Sequence, residues 1–223
     1  MMNALTALAT IIALGTTPVV VSLQTGSATP AEITAPDAHA GELSAADREQ
    51  ILQDTAAALT SVRTAQGNFT QMSADYSVTT GTFALRRPGR LRFDYDDPTP
   101  VLVVANGTTV AMQDSELETT DRVPLSSTPL GILLADDLDF EADANVIDVA
   151  RYDGMLGVTV EDRAGEMDGA LTLLMRESDK ALLGWRTIDS AGGITSVELS
   201  DVKYGEKINP RLFIMDDFED EDD

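Results

Sequence analysis

Two hydrophobic periods organise the chain beyond its first forty or so residues. From Ser44 onward, Ile51, Leu52, Leu59 and Val62 recur near the helical period, with Thr55 and Ala56 between them. That spacing gathers apolar groups on one helical face. Ser44 stands just before Ala45-Ala46-Asp47, where its hydroxyl can accept from the free amides of a first turn. The pattern predicts a helix of about five turns laid across a sheet. From Gln66 the period becomes that of strands, whose side chains alternate between faces. Phe83, Leu85 and Arg87 share a face of one run, Leu91, Phe93 and Tyr95 a face of the next, and Pro88-Gly89 lies between. A tight loop at Pro88-Gly89 would set Phe83 and Leu85 opposite Asp94 and Arg92. A loop of Pro88, Gly89 and Arg90 pairs Leu85 with Phe93, Phe83 with Tyr95 and Arg87 with Leu91. A one-residue slip reverses every face, so the longer loop is expected. Asn106-Gly107 is a second hairpin signal, expected to pair Val103 with Val110 and Val101 with Met112. Asp114-Ser115-Glu116 marks a further turn.

The alternation stops at Thr128, which suits an N-cap, with Pro129 fitting the first helical position. Leu130, Leu133 and Leu134 follow at helical spacing, then Asp136-Asp137. Acids are unfavourable at a helix C-terminus, and helices below about 12 residues are marginal alone. This element must be held by what it rests on, either as a lid or as a fixed plug. Strands resume over 146–204, with turns at Asp153-Gly154, Ser178-Asp179 and Gly192-Gly193. Met155, Val158, Val160, Leu171, Leu173, Met175, Leu182, Trp185, Ile188, Val197 and Leu199 supply the apolar positions. Residues 212–215, Leu-Phe-Ile-Met, read as a last strand. No internal repeat and no linker interrupts residues 41–215, which are expected to form a single domain.

Composition narrows the function. Fifteen basic against 38 acidic residues give a net charge of −23 and a pI near 4.1. Nucleic-acid binding, which draws on Lys and Arg against phosphate, is disfavoured, as is adsorption to an anionic membrane. Residues 216–223, DDFEDEDD, form an acidic tail expected to be disordered; meeting a basic partner is a secondary reading. Residues 4–21 form an apolar run, followed by small-residue sites ending at Ala28 and Ala40. Residues 1–40 resemble a secretory leader cleaved near 28 or 40; Gly15 and Pro18 interrupt the run and argue against a membrane anchor. Without cysteine no disulfide, thiolate nucleophile or lipid-modified N-terminus is possible. The one histidine, His39, lies in the leader. No nucleophile elbow or phosphate-binding loop is present. Ser126-Ser127 lacks an evident base, and Asp96-Asp97 and Asp136-Asp137 read as solvated surface. An enzyme is not expected, nor a cofactor or metal.

Four segments in order, FTQ at 69–71, GTFALRRPGRLRFDYDDP at 81–98, NG at 106–107 and TPLGILL at 128–134, resemble the LolA family of periplasmic lipoprotein carriers. The likeness covers about residues 50 to 137 well; beyond it only the strand pattern agrees, and the family's usual Pro-Pro motif is missing. The resemblance implies a mainly β fold with helices (α+β). It would be an incomplete antiparallel β-barrel, a half-barrel whose covering helices form a lid over a hydrophobic cavity. It implies a monomeric periplasmic chaperone that takes acylated lipoproteins from an inner-membrane ABC transporter of the LolCDE type. An outer-membrane receptor of the LolB type, where one exists, would receive them. Arg87, by its place before Pro88, matches the family arginine that bonds lid-helix carbonyls and holds the empty cavity shut. From alternation alone Arg87 reads equally well as an exposed turn residue. The acyl-chain cavity would draw on Phe69, Phe83, Leu85, Leu91, Phe93, Tyr95, Val101, Val103 and Met112 from the sheet and on Leu130, Leu133 and Leu134 from the lid. Two other functions are weighed beside this one: a carrier of free lipid, and a sensing module of envelope stress.

Overall fold

The computed structural model describes residues 43–163 and 169–215. The leader with its cleavage sites and His39, and the acidic tail, lie outside the described residues. Helix α1 (Ala45–Ser61) starts at Ser44, whose hydroxyl accepts from the Asp47 amide at 3.1 Å. It buries Ile51, Leu52, Thr55, Ala56 and Leu59, the face its spacing predicts. Six strands follow as a meander: β1 (Thr64–Met72), β2 (Val78–Arg86), β3 (Arg90–Tyr95), β4 (Val101–Asn106), β5 (Thr109–Asp114) and β6 (Thr119–Pro124). Helix α2 (Pro129–Leu133) and the short α3 (Phe140–Asp143) lead to a second meander. Its strands are β7 (Ala144–Tyr152), β8 (Met155–Asp162), β9 (Ala170–Arg176), β10 (Leu182–Ile188) and β11 (Ile194–Tyr204). A 3-10 turn (Pro210–Phe213) is the last element of the described chain.

Antiparallel pairing of β11 with β1 fuses the meanders into one eleven-stranded sheet, ordered β6-β5-β4-β3-β2-β1-β11-β10-β9-β8-β7. Among the described residues β6 and β7 are the edges of the sheet, which is an open half-barrel. Bulges at Gln66/Asn68 in β1, Val146/Asp148 in β7 and Leu182/Gly184 in β10 bend the strands, and the sheet curls around α1 and α2. Side chains of the concave face and both helices form one buried cluster; Ala84, Val104, Ile208 and Phe213 form a smaller one on the convex face.

Faces agree with the alternation, but registers and some elements do not. In the β2–β3 hairpin Phe83 pairs with Phe93 and Leu85 with Leu91, two residues from the expected pairing. The loop is Arg87-Pro88-Gly89, and the positive φ of Gly89 (+70°), which a side chain rarely tolerates, closes it one residue early. In the β4–β5 hairpin Val103 pairs with Met112 and Val101 with Asp114, again displaced by two. Asn106 stays in its strand and its Oδ1 accepts from the Thr108 and Thr109 amides, which moves the turn forward. Residues 212–215 are not a strand. Asn209 caps the Arg211 amide and Pro210 opens the 3-10 turn. Met155 and Ile188, counted as apolar positions of the sheet, are exposed at strand ends.

Candidate functional site

The β2–β3 hairpin tip caps helix α2. Thr128 occupies the N-cap position, but its hydroxyl donates to the Leu125 carbonyl at 2.9 Å rather than accepting from the helix. With five residues and acids after it, α2 has little stability of its own. Its C-terminal carbonyls are met from outside. Arg87 Nη1 donates to the carbonyl of Leu133, and to that of Ala135 at 3.1 Å. The Gly89 amide donates to the Leu134 carbonyl at 3.0 Å. Three consecutive carbonyls are thus satisfied by one hairpin loop, which replaces the usual helix C-cap. The Arg87 amide donates to the Arg63 carbonyl at 2.9 Å, tying the loop to the chain entering β1.

Arg87 does this from the interior, at 7% exposure. Burial, with Arg63 nearby, lowers its pKa to about 10, while Asp136 acts in the opposite sense. The guanidinium remains charged at neutral pH, and its Nε has no hydrogen-bond partner. A buried charge is retained only where it is well bonded, and here the bonds run to backbone carbonyls of α2. Outside it, Arg63 pairs with Asp136 across the same helix end, with both side chains more than half exposed.

The buried cluster that α1 and α2 join also holds an aromatic centre. Phe69 meets Phe93 edge to face at 4.7 Å and Tyr95 at 4.9 Å, and Phe93 meets Trp185 at 5.9 Å. Gly81 leaves room for it: a Cβ there would lie 2.6 Å from the Phe69 ring and 2.2 Å from the Asp94 carbonyl. The Tyr95 hydroxyl donates to Gln71 Oε1 at 2.8 Å, and Gln71 Nε2 reaches Ser73 Oγ at 3.3 Å. Burial raises the Tyr95 pKa against the opposing Gln71 bond. A pocket of about 330 Å³ opens from the core toward the C-terminal end of α1. Leu59 and Val62, Phe83, Leu85 and Arg87, and Leu182, Leu199 and Val202 line it.

Of the predicted cavity residues, Phe69, Phe83, Leu85, Leu91, Phe93, Val101, Val103, Leu130, Leu133 and Leu134 belong to the single concave cluster. Tyr95 and Met112 pack against it half-buried. Only Phe83, Leu85 and Arg87 border the open pocket; the rest are packed together. Sequence reasoning did not single out Gln71, or the contributions of Leu138, Phe140 and Trp185 to this cluster. The apolar position of Trp185 was the one available signal for it. The acid pairs are engaged separately: Asp96 accepts from Thr80 Oγ1 at 2.6 Å and Asp136 pairs with Arg63. Among the described residues no three His, Cys, Asp or Glu groups are placed to hold a metal.

The family profile of the outer membrane lipoprotein carrier protein LolA matches residues 60–216. The chain belongs to the LolA family. An outer-membrane lipoprotein carrier protein of Methylococcus capsulatus is 31% identical over 164 residues, spanning 70% of this chain and 78% of that one. The corresponding protein of Halorhodospira halophila is 28% identical over 161 residues, or 68% of this chain and 74% of that one. A solved LolA superfamily protein from Nitrosomonas europaea has a TM-score of 0.44 and 10% identity, covering 74% of this chain and 97% of that chain. The LolA match takes in the whole sheet, the Arg87 loop and α2, while most of α1 precedes it.

Proposed function

We propose that this protein is a periplasmic carrier of lipoproteins. In this reading it receives their acyl chains between the concave sheet and helices α1 and α2, and takes them towards the outer membrane. An inner-membrane ABC transporter of the LolCDE type loads it, and a LolB-type receptor, where one exists, accepts the cargo. It works as a monomer, without catalysis or cofactor. The observation that carries the reading is the Arg87 loop: an apolar helix, buried in one cluster with the aromatic residues of the concave face, is held at its end by a buried guanidinium and one glycine amide.

The energies suit a loadable lid. Hiding an acyl chain of about 16 carbons is worth roughly 12 kcal/mol at ~0.8 kcal/mol per methylene. Charge-assisted hydrogen bonds contribute about 1.5–3 kcal/mol each. The latch therefore favours the closed, empty form yet yields to cargo. The 330 Å³ pocket sits at the low end of the roughly 300–1,000 Å³ range of ligand sites. Loading must lift α2 and separate side chains that are packed in the closed form. Hydrophobic contact is non-directional, so such a cavity accepts many acylated cargoes.

Native mass spectrometry of the protein isolated gently from periplasm tests this. A mass adduct matching an acylated protein supports it. A small lipid adduct would replace it with the free-lipid carrier, and a bare chain bound to an unacylated partner with the sensing module.

A further inference from the structure

The convex face carries a groove of about 710 Å³, and its chemistry is opposite to that of the chain as a whole. Its floor is Val104 and Ala111, paired across β4 and β5. One wall is the C-terminal segment, with Phe213, Ile214 and Met215. Its rim carries Arg86, Arg90 and Arg122. Three of the fifteen basic residues of a chain of net charge −23 thus border one groove. Arg86 and Arg90 stand directly opposite each other in the β2–β3 ladder, an arrangement that destabilises a sheet unless an anion lies between or over the pair. No described carboxylate forms an ion pair with Arg86 or Arg90. The described chain ends at Met215, in the groove wall, and the next eight residues are Asp216 to Asp223, of which all but Phe218 are acidic.

We propose that the acidic segment 216–223 folds back into this groove as a tethered anionic occupant, its carboxylates over Arg86 and Arg90 and Phe218 against the Val104–Ala111 floor. The reach suffices. Eight extended residues span roughly 26 Å at ~3.3 Å each, and the distance from β2 to β6 is about 19 Å at ~4.8 Å per strand. The attachment point in the groove wall keeps the local concentration of carboxylates high. Charge attraction gives the docking a salt dependence. An acidic segment of another protein could use this face only by displacing the tail. Arg86 and Arg90 flank the Arg87-Pro88-Gly89 loop, and the inference does not rest on acyl binding.

The chain has no cysteine, so Asp222→Cys provides one attachment site for a nitroxide in the full mature protein. At low salt the label is expected to quench the amide signals of Arg86, Arg90, Asn106 and Thr108. The signals should return in about 1 M NaCl, where the Debye length is ~3 Å, and in the Arg86→Ser/Arg90→Ser variant. Unchanged amide shifts at Phe93 and Trp185 would show that the variant keeps its core. Full signals at low salt would overturn the proposal and leave the groove to an acidic partner. Quenching that survives both high salt and the double substitution would overturn it too, since the tail would then be held by something other than these arginines.

Discussion

The amide of Gly89 donates to the carbonyl of Leu134 across 3.0 Å. Leu134 is the C-cap of an apolar helix of five residues, and Gly89 is the left-handed residue of a hairpin loop 45 positions earlier. The same loop places Arg87 against the carbonyls of Leu133 and Ala135. The end of α2 is therefore stabilised by β2 and β3 rather than by its own sequence, and whatever pulls α2 away must break bonds gathered in one place. A latch so confined can be removed by a single substitution.

Arg87→Leu should remove it with little harm to the fold, because leucine suits the apolar surroundings and the buried charge disappears with the guanidinium. Two charge-assisted bonds are lost, each worth about 1.5–3 kcal/mol. Amide exchange in α2 should accelerate at least tenfold, the equivalent of about 1.4 kcal/mol, while β-sheet amides keep their protection. The variant should still take up an acylated protein but fail to pass it on, since closure no longer competes with the cargo. Normal delivery with unchanged exchange in α2 would show that Arg87 is not the latch.

The Arg63–Asp136 pair spans the same helix end, and its effect should be small. Both side chains are more than half exposed, and such pairs contribute about 0–1 kcal/mol, reduced further by salt. Asp136→Asn is expected to change α2 exchange by less than about fivefold, below ~1 kcal/mol, and only at low ionic strength. An effect equal to that of Arg87→Leu would shift the latch to the surface.

Beside the aromatic centre, Tyr95 and Gln71 form a part-buried polar pair. Tyr95→Phe leaves the Gln71 oxygen unpaired and should cost about 1–3 kcal/mol. Adding Gln71→Leu should recover part of it. The pair also predicts a pH dependence. Burial raises the folded pKa of Tyr95 above its ordinary value of 10. Above about pH 10 the unfolded chain loses that proton first, so stability is full below this value and falls as pH rises. The slope for one such group is about −1.4 kcal/mol per pH unit. Tyr204, also raised by burial, adds in the same sense. Urea unfolding across this alkaline range should show a shallower decline in Tyr95→Phe; an identical decline would exclude Tyr95 as its source.

The same residues indicate what the sequence reveals and what it conceals. Alternation assigns Phe83, Leu85, Leu91 and Phe93 to the concave face because side-chain direction is a local property of a strand. Register is not: the φ of Gly89 and the bonds from Asn106 Oδ1 set each turn, and both hairpins close two residues away from the pairing that the apolar pattern suggests. Parity survives a shift of two, so the faces are right where the partners are wrong. The segment 212–215 is apolar enough for a strand, but Asn209-Pro210 starts a 3-10 turn instead. The burial of Arg87 depends on carbonyls 46 and 48 residues away, a relationship absent from any local window; only the resemblance to LolA pointed to it.

Thr55 offers a test of the helical wall. It lies on the face of α1 turned to the concave sheet, fully buried, with a hydroxyl that finds no hydrogen-bond partner. By contrast, Thr60 in the same helix returns its hydroxyl to the Ala56 carbonyl at 2.8 Å. An unpaired buried hydroxyl costs about 1–3 kcal/mol on mutational scales, and threonine and valine have similar shape and similar helix propensity. Thr55→Val should therefore stabilise the protein by about 1 kcal/mol, seen as a higher urea midpoint with an unchanged slope. The gain belongs to the closed, empty form. If α1 lines the acyl cavity, the same substitution leaves an apolar wall that contacts cargo equally well, so uptake should persist. A loss of stability in Thr55→Val would mean that the hydroxyl is satisfied in solution, and that water enters between α1 and the sheet even when the latch is shut.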